Sequence, residues 1–367
     1  MHKISYITDM SLPSNKAQSI HVFKMIESLL NHTNKIELYT PYSNPNYTVK
    51  KIKKDYLIRS RKLFNIKSIF VKRSFLNSRI IFGLKVALLI KNQKNQLIIT
   101  RSFFASFFMI IFNINHFLEI HQALKGLTKL LFINLNFINS NNIIKVIFIS
   151  NGLSKYYGFK KINYTILSDC YSPKDFKTRK LRNTIKKIYY FGSFYKGRGV
   201  ELIKEIATLL PKVTFYLYGR RTEMISGFPK NVNIYSIIKY SSISKVIRKA
   251  DLLLMPYQFK ISINSNDYKD DISKFISPLK MFEYLGTGIP IISSELKVLK
   301  EVLIHKKNAY LVKNYHQPLS WKKAIENLAN NNELRSKISK SAIKTAKLYT
   351  WDLRVRKIIK LYNEKNI

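Results

Sequence analysis

Short apolar runs alternate with longer amphipathic stretches along the whole chain, the pattern of strands and helices wound around parallel sheets. Two such series stand out. The first has apolar runs at 4–7, 36–39, 97–100, 117–121 and 144–150, and the second at 188–191, 213–218, 252–255, 290–293 and 309–312. Between them the polar, turn-prone segment LSDCYSPKDF at 167–176 reads as a linker. After Val312 the pattern is helical through Leu348, and Thr350 and Trp351 introduce a last basic helix running from Asp352 toward Asn363. No repeat of fixed period is present, which disfavours a solenoid. The pattern predicts an α/β protein with domains at 1–170 and 171–348 and a terminal helix at 349–367.

Composition adds size and compartment. A chain of 367 residues that is 46% hydrophobic can fill more than one sizeable core. The lone Cys170 has no partner for an internal disulfide, and MHKISYITDM at the amino end lacks the apolar stretch of a signal peptide, so the expectation is a cytoplasmic protein. The richest apolar windows, 80–90 and 98–112, are broken by Lys85 and Arg101 and fall short of the roughly 20 residues of a spanning helix.

The formal net charge of +43 draws such a chain toward phosphates, anionic lipid or nucleic acid. Codon drift toward Lys, Ile and Asn accounts for part of that excess equally well.

The run 277–293, SPLKMFEYLGTGIPIIS, carries the most chemistry. Ser277 suits an N-cap and Pro278 the first helical position, which leaves the amides of Leu279 and Lys280 pointing out of a helix end that attracts anions. Glu283 follows about one and a half turns in, where a carboxylate can accept hydrogen bonds from sugar hydroxyls. Gly286 and Gly288 permit a tight exit into an uncharged buried strand. Upstream, FGSFYKGRG at 191–199 sets glycines and two cations directly after a strand. Gly192, Gly197 and Gly199 let the backbone approach a diphosphate, and Lys196 and Arg198 can neutralise a leaving nucleotide.

Three further places offer polar groups. FLEIHQ at 117–122 ends a strand in Glu119 and His121, two residues apart on one strand face, so the carboxylate can orient the ring. DMSLPSNKAQSIH at 9–21 is a loop leading into an amphipathic helix through Leu30, with His21 on that helix and equally a surface residue. Arg101 and Ser102 follow the 97–100 strand.

Together these segments resemble the retaining glycosyltransferases of family 4, and the resemblance runs along nearly the whole chain. It implies the GT-B fold, two doubly wound Rossmann-like domains facing across a cleft, with an acceptor-binding first domain, a nucleotide-sugar-binding second domain and a terminal helix that crosses back to the first. It gives Glu283 the nucleotide ribose, the amides of Leu279 and Lys280 and the Ser277 helix start the diphosphate, and Gly192 and Ser193 a place in the donor site. Arg198, with Lys196, serves the leaving group and His121 the transferred sugar. The amino-terminal loop closes over the reaction centre, so Ser14, Asn15 and Ser19 do its polar work, and Arg101 faces the cleft with the acceptor.

The chain departs from the family pattern where a first glutamate is replaced by Phe275 and where an arginine after the first glycine is replaced by Ser193. Asp270 and Asp271 offer a substitute acid, and Lys196 a substitute cation.

The activity so implied is transfer of a sugar from a nucleoside diphosphate donor to a hydroxyl of a glycan or glycolipid, in bacterial surface polysaccharide synthesis. No cofactor is expected, the nucleotide sugar being a co-substrate, and no metal-ligand spacing is present. Expected partners are the nucleotide sugar, a saccharide or lipid-linked acceptor and an anionic membrane surface at the inner face, with no nucleic acid. Two other readings compete: a sugar-nucleotide epimerase on the same fold, and a basic nucleic-acid-binding protein, which the scattered placement of the cations and the lack of a recognition motif oppose.

Overall fold

The computed structural model describes residues 3–14, 16–70, 77–93, 96–158, 163–220, 226–262 and 271–365. Among them the chain divides into two compact units, 1–168 with 351–367, and 169–350.

In the first unit the strands are β1 (Lys3–Ile7), β2 (Ile36–Thr40), β3 (Asn65–Ser68), β4 (Gln96–Thr100), β5 (His116–Ile120), β6 (Ile143–Phe148) and β7 (Tyr164–Ile166). They form one parallel sheet in the order β3-β2-β1-β4-β5-β6-β7. Its helices are α1 (Ala17–Leu29), α2 (Val49–Asp55), α3 (Asn77–Lys91), α4 (Phe103–Ile111), α5 (Gly126–Asn134) and α6 (Asn151–Tyr157). The apolar window at 80–90 is α3, which packs on α4, whereas 98–112 is split between the end of β4 and α4. Gly83 makes the α3–α4 approach possible, because a Cβ there would lie 2.5 Å from the Phe104 carbonyl carbon.

In the second unit β8 (Lys187–Phe191), β9 (Thr214–Tyr218), β10 (Val232–Tyr235), β11 (Leu252–Met255), β12 (Ile291–Ser294) and β13 (Tyr310–Val312) form a parallel sheet in the order β10-β9-β8-β11-β12-β13. The helices are α7 (Val200–Leu209), α8 (Tyr240–Ile247), α9 (Leu279–Thr287), α10 (Pro318–Asn330) and α11 (Asn332–Ala346). One core runs from Ile188, Phe215, Leu252 and Ile292 on the sheet to Ile203 and Ile206 on α7 and Trp321 on α10. The last helix, α12 (Trp351–Lys365), belongs to the first unit and packs on α1 and β6.

All ten expected strands are present, joined by β3, β7 and β10, which the apolar pattern did not mark. β3 and β7 are the two edges of the first sheet and β10 is one edge of the second, with half-buried or exposed side chains, so little burial selects for apolar residues there. In each sheet the strand order turns back at one point, between β1 and β4 and between β8 and β11. At such a point the loops leaving the carboxyl ends of two adjacent strands diverge and open a crevice, where ligands of doubly wound sheets bind.

Candidate functional site

The second unit's switch point is built from the loop after β8 and the loop after β11. These loops are laced together: the Gln258 amide donates to the Gly197 carbonyl at 2.9 Å, and the Ser262 amide donates to the Lys196 carbonyl at 3.1 Å. Such contact leaves no space for side chains. A Cβ on Gly197 would lie 1.8 Å from the Lys260 carbonyl oxygen and one on Gly199 1.9 Å from that of Pro256, and both glycines have left-handed φ, 78° and 81°. Gly199 is also the N-cap of α7.

Arg198 lies between these glycines. Its Nη2 donates to the Ser262 carbonyl at 3.0 Å, its guanidinium carbon is 5.7 Å from the centroid of the buried Tyr257 ring, and its Nε is buried with no hydrogen-bond partner among the described residues.

Lys280, in the first turn of α9, reaches the same place from the other side of the switch point. Its Nζ donates to the Phe191 carbonyl at the end of β8 at 3.0 Å and sits 4.4 and 4.7 Å from the ring centroids of Tyr190 and Tyr257. One turn on, the Tyr284 hydroxyl accepts from the Phe191 amide at 3.2 Å, so α9 is fastened to the tip of β8 by residues four apart. Burial and the Arg198 charge hold the Lys280 ammonium well below the usual lysine range. Neither cation has a carboxylate partner among the described residues. Two cations facing aromatic rings beside a glycine turn make a ready site for a diphosphate.

The helix end itself differs from the expectation. Pro278, not Ser277, is the N-cap of α9, and no side chain caps it. Ser277 instead accepts from the Asp169 amide at 3.2 Å, because Pro278 already has extended backbone and ends the preceding loop. Leu279 and Lys280 open the helix as expected, and Glu283 is buried on it at 5% exposure. Gly288 ends the helix with a left-handed φ of 70°, while Gly286 lies within it and lets the Tyr171 ring come close, where a Cβ would be 2.3 Å away.

Of the other residues expected on the donor side, Gly192 leaves room for the Lys280 amine, which would be 3.3 Å from a Cβ there. The carbonyl of Ser193 accepts from the Tyr190 hydroxyl at 2.9 Å. Lys196 is half-buried and contributes its carbonyl to the loop pairing. Asp271 does not present a spare acid: its two oxygens accept from the Ile261 amide, the Ser273 amide and the Ser273 hydroxyl, closing the loop. Asp270 and Asn15 lie outside the described residues.

In the first unit the topology assembles a second polar cluster around Glu119 on β5. Its Oε1 accepts from Arg354 on α12 at 2.6 Å and its Oε2 from the Tyr6 hydroxyl on β1 at 2.8 Å. The Nε2 atoms of His21 and His121 lie 3.5 and 3.7 Å from Oε2, and the two imidazoles meet edge to face at 4.5 Å. His21 is therefore buried rather than at the surface. Two imidazoles and a carboxylate thus meet although their linear spacing suggests no common site.

Burial works against charge on Glu119, but Arg354 and the imidazoles outweigh it and hold the carboxyl well below the usual range. Burial, Arg101 and His21 push His121 down to about 3, so its ring is neutral near pH 7. Arg101, at the carboxyl end of β4, has a buried Nη1 without a hydrogen-bond partner among the described residues. The Ser14 carbonyl accepts from the Tyr56 hydroxyl at 2.8 Å and from the Ser19 hydroxyl at 3.1 Å, so the main chain organises that loop.

Two contributors carry no mark of their own in the sequence: the side chain of Lys280, where the helix-start pattern points only to the amide, and Tyr257. The signal that finds them is the sheet order, which places the loop after β11 beside β8.

Residues 185–331 match the family model described as glycosyl transferases group 1. No curated protein matches the chain. Among solved structures, HepE from Anabaena, in complex with UDP and glucose, aligns with a TM-score of 0.72 at 11% identity over 98% of this chain and 99% of its own. Sucrose-phosphate synthase from Thermosynechococcus elongatus gives 0.71 at 14% identity over 99% and 98%. WaaG, a glycosyltransferase involved in lipopolysaccharide biosynthesis, gives 0.64 at 11% identity over 97% and 99%. The chain therefore has the GT-B fold, and its second unit matches the group 1 glycosyl transferases over residues 185–331.

Proposed function

We propose that this glycosyltransferase is a retaining enzyme that moves a sugar from a nucleoside diphosphate to a hydroxyl of a glycan or glycolipid acceptor during assembly of a bacterial surface polysaccharide. The observation that carries the reading is the pair Arg198 and Lys280, two cations without carboxylate partners among the described residues, set at the β8–β11 switch point against a glycine turn. Diphosphate departure builds negative charge, and pre-placed cations stabilise it without reorganisation. With that charge met by side chains, the reaction proceeds without a metal ion. Glu283 fastens the ribose, the first amides of α9 share the phosphates, and His121 serves the transferred sugar with a neutral imidazole. HepE was solved with UDP and glucose, and WaaG is involved in lipopolysaccharide biosynthesis, which supports the donor class and the polysaccharide setting.

The experiment is a thermal-shift screen across nucleoside diphosphates and their sugars, repeated with Arg198→Ala and Glu283→Gln, followed by a transfer assay with the sugar that binds. A raised melting temperature for one nucleotide series, lost in both variants together with transfer, is expected. No shift with any nucleotide sugar, or full transfer in both variants, overturns the assignment. Release of an altered nucleotide sugar without acceptor would favour the epimerase instead.

A further inference from the structure

The apolar side chains of α5 point the wrong way for a helix of a self-contained domain. Leu127, Leu130 and Ile133 lie three apart on one stripe at 47%, 56% and 45% exposure, and Leu135 at the C-cap is 55% exposed. The opposite face is held by Phe132, fully buried, whose ring meets Tyr157 of α6 at 5.2 Å, and the Tyr157 hydroxyl accepts from the Leu124 amide at 2.7 Å. The helix is thus anchored by its aromatic side while its aliphatic side faces outward. A surface helix ordinarily does the reverse.

The rim of this stripe is cationic. Lys129 donates to the Tyr156 hydroxyl at 2.9 Å with its ammonium 4.9 Å from that ring, and Lys125, Lys155 and Tyr156 are exposed beside it. No acidic residue occurs between Glu119 and Asp169, and Glu119 is buried; between Asp55 and Asp169 it is the lone carboxylate against seventeen lysines and arginines. An aliphatic stripe with basic and aromatic flanks matches the boundary between headgroups and acyl chains of an anionic bilayer. A second copy of the chain fits it poorly, because each copy carries +43.

We propose that the exposed face of α5 inserts into the interface of an anionic membrane, with Lys125, Lys129 and Lys155 on the headgroups. This surface lies wholly in the first unit, so it stands or falls separately from the donor reading of the second. Among the described residues no helix is long and apolar enough to cross a membrane, and the contact is one that lies on the bilayer.

The test is sedimentation of the full chain with vesicles of phosphatidylcholine alone or mixed with phosphatidylglycerol, at low and high salt. The expected result is binding to the mixed vesicles that salt weakens. It should fall by on the order of tenfold to a hundredfold in the combined variant Leu127→Asn, Leu130→Asn, Ile133→Asn, with the melting temperature kept. As a second readout, the indole introduced by Leu130→Trp should shift its emission to the blue on the mixed vesicles, because Trp321 and Trp351 are already buried. Undiminished binding of the combined variant, an unshifted emission from Leu130→Trp, equal binding to both vesicle types, or leucine-dependent dimerisation without lipid would each overturn the proposal.

Discussion

Replacing Lys280 by methionine should separate ligand binding from folding. In the unliganded protein the ammonium is opposed by burial and by Arg198. Arg198 Cζ and Lys280 Nζ lie 5.7 and 4.7 Å from the same Tyr257 centroid, so the two charges stand no more than about 10 Å apart. At that separation and an effective dielectric of about 20 they repel by roughly 1.7 kcal/mol or more. Against this stand the hydrogen bond to the Phe191 carbonyl, of order 1.5–3 kcal/mol for a charged donor, and ring contacts of about 0.5–2 kcal/mol. With the burial cost added to the repulsion, the two sides nearly cancel.

Methionine keeps the stem and a favourable contact with the rings, so Lys280→Met should melt within about 3 °C of the parent. A diphosphate at this place turns repulsion into attraction. Losing one charge-assisted bond of about 1.5–3 kcal/mol then weakens nucleotide binding roughly 10- to 150-fold. Differential scanning fluorimetry with and without the nucleoside diphosphate reads both quantities from one sample. A variant that keeps the full ligand-induced shift, or one that melts far below the parent while still binding normally, would refute the reasoning.

Two further substitutions probe the supports of each unit. Glu119→Gln removes the buried carboxylate that pairs with Arg354 and should cost about 3–5 kcal/mol, read by urea unfolding. The sign with pH follows from the depressed carboxyl: its contribution is complete above the usual glutamate value and is lost as pH falls through the lower folded value, so the gap between parent and variant should close only in strong acid. Gly199→Ala must place a Cβ 1.9 Å from the Pro256 carbonyl oxygen at a φ of 81° and should cost at least about 2 kcal/mol, a fall in melting temperature of roughly 4–8 °C.

What could be read from the chain was what burial writes into consecutive residues. β11 reads LLLM because all four side chains are fully buried, whereas the edge strand β3 reads NIKS, with three of its four residues exposed, and carries no such mark. The glycine turn at 192–199 was legible for a related reason: neighbouring carbonyls forbid a Cβ at Gly197 and Gly199, and that constraint appears directly as residue type. The Glu119 cluster was not legible in full, since Arg354 lies 235 residues away and His21 and Tyr6 come from other elements.

Lys280 shows the limit most clearly. In the sequence it is one of 64 cations, and an N-terminal helical lysine is ordinarily a solvated charge. Its importance comes from β8 lying beside β11, which sets Tyr190, Tyr257 and the Phe191 carbonyl around one amine and brings Arg198 near it. A buried charge whose stabilising and opposing contacts nearly cancel, with no carboxylate partner among the described residues, is one that an external anion would stabilise, and only the sheet order sets this lysine apart from the other cations.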